Sequence, residues 1–266
     1  MNVAQSGAEH PSPVYGPVDS WRFGRSIGID PLLVDSICSF RCVYCQLGRI
    51  NRPTRTRGIW VRTATVISAL QQHDLTDVEA VTFSGSGEPT LAANLGEMVH
   101  AVREQTRKPV VVLTNSSLLD LPEVRRELLA ADQVSCKLDA FDEHVLSRIN
   151  RPVENISLQS ILHGIERFRQ QYDGILSIQV MLLPANLLHL ERLGTLIQTL
   201  GADQIHLTLP LRTIPGEWSL LARGDHRPEP APAALRISPR VIEDAARRLE
   251  ARCGTVVRYP WRFRKD

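Results

Sequence analysis

The chain has 266 residues, 43% hydrophobic and 23% charged, with a formal net charge of +2; these values suit one globular domain with its own core and exclude a disordered or low-complexity protein. No apolar run approaches the ~20 residues that cross a bilayer, and residues 1–13 lack the cationic start and apolar centre of a secretory signal. Five cysteines, three of them clustered, fit a reducing compartment better than a disulfide framework, so a cytoplasmic protein without a membrane partner is expected.

In chain order, strand-like apolar runs at residues 33–37, 80–84, 110–115, 133–139, 176–183 and 204–209 alternate with helix-like patterns. The latter lie at 63–73, 94–106, 122–131, 143–149, 157–171 and 188–200. Alternation of this kind predicts parallel β/α units. Six units rather than eight predict an α/β fold, a partial (β/α)6 TIM-like barrel. Residues 222–239, with Pro228, Pro230, Pro232 and Pro239, read as a linker or surface loop. A helix over 239–252 and a strand over 255–259 then form a short C-terminal extension. The expected organisation is a flexible N-terminus (1–14), a core domain (15–221) and a Pro-rich linker with the terminal helix and strand (222–266).

Residues two apart on a strand share a face. Thr82 with Ser84, Lys137 with Asp139, Ser177 with Gln179 and Met181, and His206 with Thr208 therefore form polar or mixed stripes. Their alternates, such as Val81, Phe83, Cys136, Leu138, Ile178, Val180 and Leu207, belong against outer helices. A polar lumen predicts a pocket with its working residues at the C-terminal ends of the strands.

Cys38, Cys42 and Cys45 carry the chemistry, in the order Cys38-Ser39-Phe40-Arg41-Cys42-Val43-Tyr44-Cys45. Three thiolates on one loop suit three irons of a [4Fe–4S] cubane and leave the fourth iron open. A structural zinc site would want a fourth Cys or His nearby, and none follows at the usual spacing. Three buried structural thiols are the bland alternative. Positive charge is almost wholly arginine, since the only lysines are Lys108, Lys137 and Lys265. Arg49, Arg52, Arg55, Arg57 and Arg62 crowd the loop after the cysteines, and the tail from Arg258 to Lys265 interleaves cations with aromatics. Both suit phosphate contacts and base stacking; the blander reading, which composition favours, is arginine on solvated loops and aromatics that merely pack.

The triad, with an aromatic residue before its third cysteine, resembles the radical S-adenosylmethionine (SAM) superfamily. So do the run from Tyr15 to Asp30, then Gln46-Leu47-Gly48, Phe83-Ser84-Gly85-Ser86-Gly87-Glu88-Pro89-Thr90-Leu91 and Cys136-Lys137-Leu138-Asp139-Ala140. This series, over roughly residues 15–140, resembles the branch grouped with the wyosine tRNA-modifying synthases. The resemblance implies a [4Fe–4S] cluster on Cys38, Cys42 and Cys45, whose open iron is chelated by the amino and carboxylate groups of SAM. One electron from a flavodoxin- or ferredoxin-type donor then cleaves SAM, and the 5′-deoxyadenosyl radical abstracts a substrate hydrogen.

Residue by residue, the resemblance places Tyr44 against adenine and Glu88, with Ser86 and Gly87, at the methionyl amino group. Ser86 stands where the family has glycine. Thr114-Asn115-Ser116 resembles a threonine-asparagine-glycine step near the methionyl group, which makes Asn115 a contact. Lys137 and Asp139 match a pair near the SAM carboxylate and ribose, a buried structural ion pair being the alternative. Gln179, His206 and Arg212 line later strand ends, within reach of SAM or substrate, a satisfied core histidine being the alternative for His206. No cysteine precedes Cys38, unlike the two-cluster wyosine synthases, so a single-cluster enzyme acting on a small molecule or nucleoside-containing substrate is expected. A tRNA-modifying wyosine-synthase-like enzyme, a glycyl-radical-enzyme activase and an electron-transfer iron–sulfur protein remain as alternatives.

Overall fold

The first strand of the barrel precedes the apolar run that resembles it most. In the computed structural model, which describes residues 11–34, 36–211, 214–220, 223 and 232–260, β1 (Val14–Ser20) and β2 (Gly24–Ile29) form an antiparallel hairpin. Among the described residues of the strand expected over 33–37, only Ile37 is in a strand. Asp30, fully buried, accepts from the main-chain N–H groups of Leu32 and Leu33 at 3.1 and 3.0 Å, and Leu33 takes φ +45°. The chain turns there, and only β3 (Ile37–Cys38) is extended; it pairs with β4 (Arg52–Pro53) outside the barrel. Apolar content marked the segment for burial, whereas the Asp30 side chain decided its backbone.

The remaining elements follow the predicted alternation. After α1 (Thr63–Leu70) come β5 (Ala80–Phe83), α2 (Leu95–Thr106), β6 (Val110–Thr114), α3 (Pro122–Leu128) and β7 (Gln133–Lys137). The second half holds α4 (Glu143–Ile149), α5 (Leu158–Arg169), β8 (Ile175–Met181), α6 (Pro184–Leu187), α7 (Leu190–Thr199) and β9 (Gln204–Thr208). Helix starts have local causes. Pro122 occupies the first turn of α3, Asp142 accepts from Val145 N–H at 2.9 Å, and Ser157 and Ser160 form a reciprocal capping box.

The sheet has eight strands in the order β1-β2-β5-β6-β7-β8-β9-β10, and β2 with β5 to β9 are the six parallel strands of a curled, partial TIM-like barrel. The C-terminal extension joins it. Helix α8 (Pro239–Cys253), ended by Gly254 at φ +69°, is tied to α7 by Arg248–Glu191, and β10 (Val256–Arg258) adds in parallel to β9. Among the described residues no helix is long and apolar enough to cross a membrane. The first ten residues, Pro228, Pro230, Arg212 and the tail from Trp261 onward lie outside the described residues.

Strand parity separates core from lumen. Val81, Phe83, Cys136, Leu138, Ile178, Val180 and Leu207 join one apolar cluster with helix residues such as Leu95, Met98, Val124, Ile165 and Phe168. Lys137, Gln179 and His206 stand in register on β7, β8 and β9 and form one transverse polar row. The hairpin tip between β1 and β2 reaches this row across the open side of the sheet: Arg22 Nη1 donates to Gln179 Oε1 at 2.6 Å, and the Trp21 and Phe23 rings meet His206 edge-on at 5.7 and 5.9 Å.

Candidate active site

The three thiols lie on a loop that is fastened before any ligand is considered. Phe40, 2% exposed, plugs the loop into the core, and turns close from Cys45 N–H to the Cys42 carbonyl and from Gly48 N–H to the Cys45 carbonyl, both at 3.1 Å. The end of α4 grips its other side. Arg41 and Val43 N–H donate to the carbonyls of Asn150 and Ile149, and Val153 N–H to that of Ser39, each at 2.9 Å. On the opposite flank Glu88 N–H bonds the Ile37 carbonyl at 3.1 Å, and a Cβ on Gly87 would lie 1.7 Å from that oxygen. Gly87 is therefore demanded by the close passage of two backbones, which seats the cysteine strand directly on the Gly-x-Gly-Glu turn.

Cys38, Cys42 and Cys45 form no disulfide and are half-buried. Two buried amides point at their sulfurs: Asn115 Nδ2 lies 3.6 Å from Cys38 Sγ and 2.8 Å from Ser39 Oγ, and Asn150 Nδ2 lies 3.5 Å from Cys42 Sγ. Burial pushes the Cys42 thiol up to about 12 and raises Cys38 and Cys45 as well, with neighbouring thiols adding to the rise at Cys38 and Cys42. Without a cation these thiols stay protonated, so loading a metal centre releases protons. Among the described residues no three Cys, His, Asp or Glu side chains close around a single metal ion.

Glu88 is 2% exposed and heavily solvated by protein. Its Oε1 accepts from Thr90 N–H and Oγ1 and from Thr114 Oγ1 at 3.1, 2.7 and 2.6 Å, while Oε2 accepts from Asn115 N–H at 2.6 Å. Burial still raises its pKa above the ordinary carboxylate value, against the lowering by those bonds. A carboxylate has about four lone-pair sites, so Oε2 keeps capacity for a further donor, and a cation would relieve the desolvation.

Across the lumen Asp139 is the hub. Tyr44 Oη donates a very short bond to Oδ2, Asn150 Nδ2 donates to the same oxygen at 2.8 Å, and Met181 N–H reaches Oδ1 at 2.7 Å. The Lys137 ammonium lies 3.5 Å from Oδ1 and 5.0 Å from the Tyr44 ring centroid. Its Nζ is buried and has no hydrogen-bond partner, and its charge lowers Cys42 and Cys45 against the burial effect. An ammonium that is ion-paired with Asp139 but makes no hydrogen bond, near Cys42 and Cys45, fits a zwitterionic ligand on an iron–sulfur cluster.

Ser86 and Gln179, two other expected contacts, already have partners within the fold. Ser86 is wholly buried, with its N–H and Oγ both donating to Asp30 at 3.1 and 3.0 Å. Asp30 also forms a 3.0 Å ion pair with Arg223, whose side chain is 9% exposed. Gln179 Oε1 is engaged by Arg22. His206 is 1% exposed and its Nδ1 has no hydrogen-bond partner. Burial, helped by the Arg22 and Arg258 cations, pushes its pKa from 6.5 down to about 3. The folded chain thus binds fewer protons here than the unfolded chain, and stability is lost as pH falls from 6.5 toward about 3. In urea titrations across that range the apoprotein is expected to lose up to about 1.4 kcal/mol per pH unit more than His206→Gln; identical slopes would refute a neutral buried imidazole.

Asn150 was invisible to sequence reasoning, as were Asp30, Arg223 and Asn186, the last donating to the Asp139 and Met181 carbonyls, both at 2.9 Å. The one available hint for Asn150 was its place at the end of the 143–149 helix pattern; its contacts with Cys42 and Tyr44 span more than a hundred residues. Cys136 lies in the apolar core and Cys253 against the Gly194 carbonyl, so neither extends the thiol set.

A family model described as the Radical SAM superfamily matches residues 34–196. A UPF0026 protein of Synechocystis sp. is 41% identical over 251 residues, covering 92% of this chain and 95% of the relative. Among solved structures, a radical SAM methyltransferase from Sphaerobacter thermophilus aligns with a TM-score of 0.64 at 18% identity, over 88% of this chain and 66% of that one. TYW1 with a lysine-pyruvate adduct aligns with a TM-score of 0.61 at 18% identity, over 85% and 73%. Likeness at that identity concerns the fold, which is the partial barrel expected from the alternation of elements.

Proposed function

The chain belongs to the radical SAM superfamily of enzymes and, through a relative matched over nearly its whole length, to the UPF0026 proteins, and from this we propose that it is a single-cluster enzyme that binds and reductively cleaves SAM. When bound, a [4Fe–4S] cluster and SAM supply one electron and a 5′-deoxyadenosyl radical for hydrogen abstraction from the substrate. Cys38, Cys42 and Cys45 hold the cluster, and Asn115 and Asn150 donate to two of the sulfurs. Glu88 Oε2 receives the SAM ammonium and the Lys137 ammonium receives its carboxylate. Asp139 fixes Lys137 and the Tyr44 hydroxyl, so that the Tyr44 ring is held in place for the adenine. Gly87 keeps Glu88 against the cysteine strand; Ser86 acts one layer back, by anchoring Asp30. Gln179 and His206 with Arg22 form the lumen floor beneath the substrate. Residues 15–221 supply this core, and a one-electron donor comes from outside.

The observation that carries this reading is the Lys137 Nζ, buried without a hydrogen-bond partner near Cys42 and Cys45. The test is anaerobic reconstitution with iron and sulfide, then dithionite and SAM, with 5′-deoxyadenosine as the product measured. In the same assay Glu88→Gln is expected to keep the cluster's visible absorbance and weaken SAM binding about 10–100-fold, the worth of one charge-assisted hydrogen bond. Unchanged SAM affinity would remove Glu88 from the site.

A further inference from the structure

Charge on this chain is segregated. Residues 36–73 contain six arginines and no aspartate or glutamate, although the whole chain carries only +2. The fold engages two of the six: Arg55 pairs with Asp120 at 2.7 Å and Arg57 with Glu127, fastening the post-cysteine loop to the α3 side of the barrel. Arg41, Arg49, Arg52 and Arg62 are exposed, and among the described residues no carboxylate lies within ion-pair distance of them.

These side chains spring from the walls of the thiol loop. Arg52 pairs in register with Ile37, next to Cys38, and the Arg49 carbonyl accepts from Ser36 Oγ at 3.3 Å. From the other flank Arg41 N–H reaches the Arg151 carbonyl at 3.3 Å, which brings in the exposed and equally unpaired Arg148 and Arg151. An apolar spot adjoins them: Ile59 is 66% exposed and Trp60 lies under the Arg52 guanidinium, 5.3 Å from its ring centroid.

Unpaired arginines around an exposed isoleucine and a tryptophan match the composition of protein interfaces. A single-stranded nucleic acid would want open aromatic faces for its bases. Here Arg52 covers Trp60 and Phe40 is buried. We propose that this arginine rim docks an acidic one-electron carrier protein directly over the loop of Cys38, Cys42 and Cys45. The carrier is oxidised by one electron while the centre on those cysteines is reduced by one. The inference rests on the reading of the preceding subsection and adds the surface through which the electron enters.

The test uses reconstituted protein without SAM and reduced flavodoxin as the probe. Arg49→Glu/Arg52→Glu and, separately, Arg148→Glu are expected to raise the flavodoxin Kd about tenfold and to slow flavodoxin-driven reduction similarly, with dithionite-driven 5′-deoxyadenosine formation unchanged. For the unaltered protein, salt raised from ~0.05 to ~0.3 M is expected to weaken flavodoxin binding and leave the dithionite reaction alone. A Kd indifferent to both variants and to salt overturns the proposal. So do variants that keep flavodoxin affinity but lose salt-sensitive retention of bulk tRNA. Should dithionite itself yield no 5′-deoxyadenosine, the proposed activity fails, and the Kd comparison still decides the docking surface.

Discussion

Cys42→Ala, reconstituted anaerobically beside the unaltered protein, is expected to lose the cluster's visible absorbance and to form 5′-deoxyadenosine more than about 100-fold more slowly. Losing an outer-shell partner of a metal ligand costs about 10–100-fold, and losing the ligand itself should exceed that. Cys42 has no substitute within reach. The two cysteines outside the triad sit in the apolar core and against the Gly194 carbonyl, and Asn150 offers Cys42 a donor, Nδ2, at 3.5 Å. Removing Sγ should leave the loop folded, because Phe40 and the main-chain bonds to Ile149 and Asn150 hold it independently of metal. Wild-type yields of 5′-deoxyadenosine from Cys42→Ala would end the assignment of the triad.

The second large effect concerns stability. Asp139→Asn is expected to destabilise the apoprotein by roughly 3 kcal/mol or more in urea unfolding, the order found when one partner of a buried pair is removed. The side chain is fully inaccessible and gathers Tyr44, Asn150, the Met181 N–H and the Lys137 ammonium, itself only 15% exposed. Asparagine keeps an acceptor for Met181 but sets an amide against Asn150 or Tyr44 and strips Lys137 of its counter-charge. The double variant Asp139→Asn/Lys137→Met should recover part of the loss, since the stranded ammonium is then gone. A single variant within about 0.5 kcal/mol of the parent would mean that the pair is solvated rather than buried.

Function and stability thus meet at one network, and its legibility in the sequence was uneven. Lys137 and Asp139 were readable as one face of one strand, because a period of two is a local property. That the lumen was polar followed likewise from the alternates of β5, β7, β8 and β9, and the structure puts those alternates in the core. Asn150, by contrast, lies on no strand and repeats no pattern; only the packing of α4 against the cysteine loop makes it a partner of Cys42, Tyr44 and Asp139. Ser86 shows the converse. A motif position implied a cofactor contact, while burial committed both of its donors to Asp30. The strand expected over residues 33–37 failed for the same reason, since apolar content reports burial and Asp30 set the backbone through its own hydrogen bonds.

Local information in the chain was sufficient for the alternation of strands and helices from residue 63 onward, the thiol spacing and the segregation of arginine, because each depends on near neighbours or on composition; it missed β2, the barrel's first strand. Tertiary structure alone decided which arginines are already neutralised, why Gly87 must lack a side chain, where the hairpin tip of Trp21 to Phe23 crosses the sheet, and that Arg223 closes on Asp30. Those facts join residues far apart in sequence, and their energies come from mutual burial, which no short window of sequence contains.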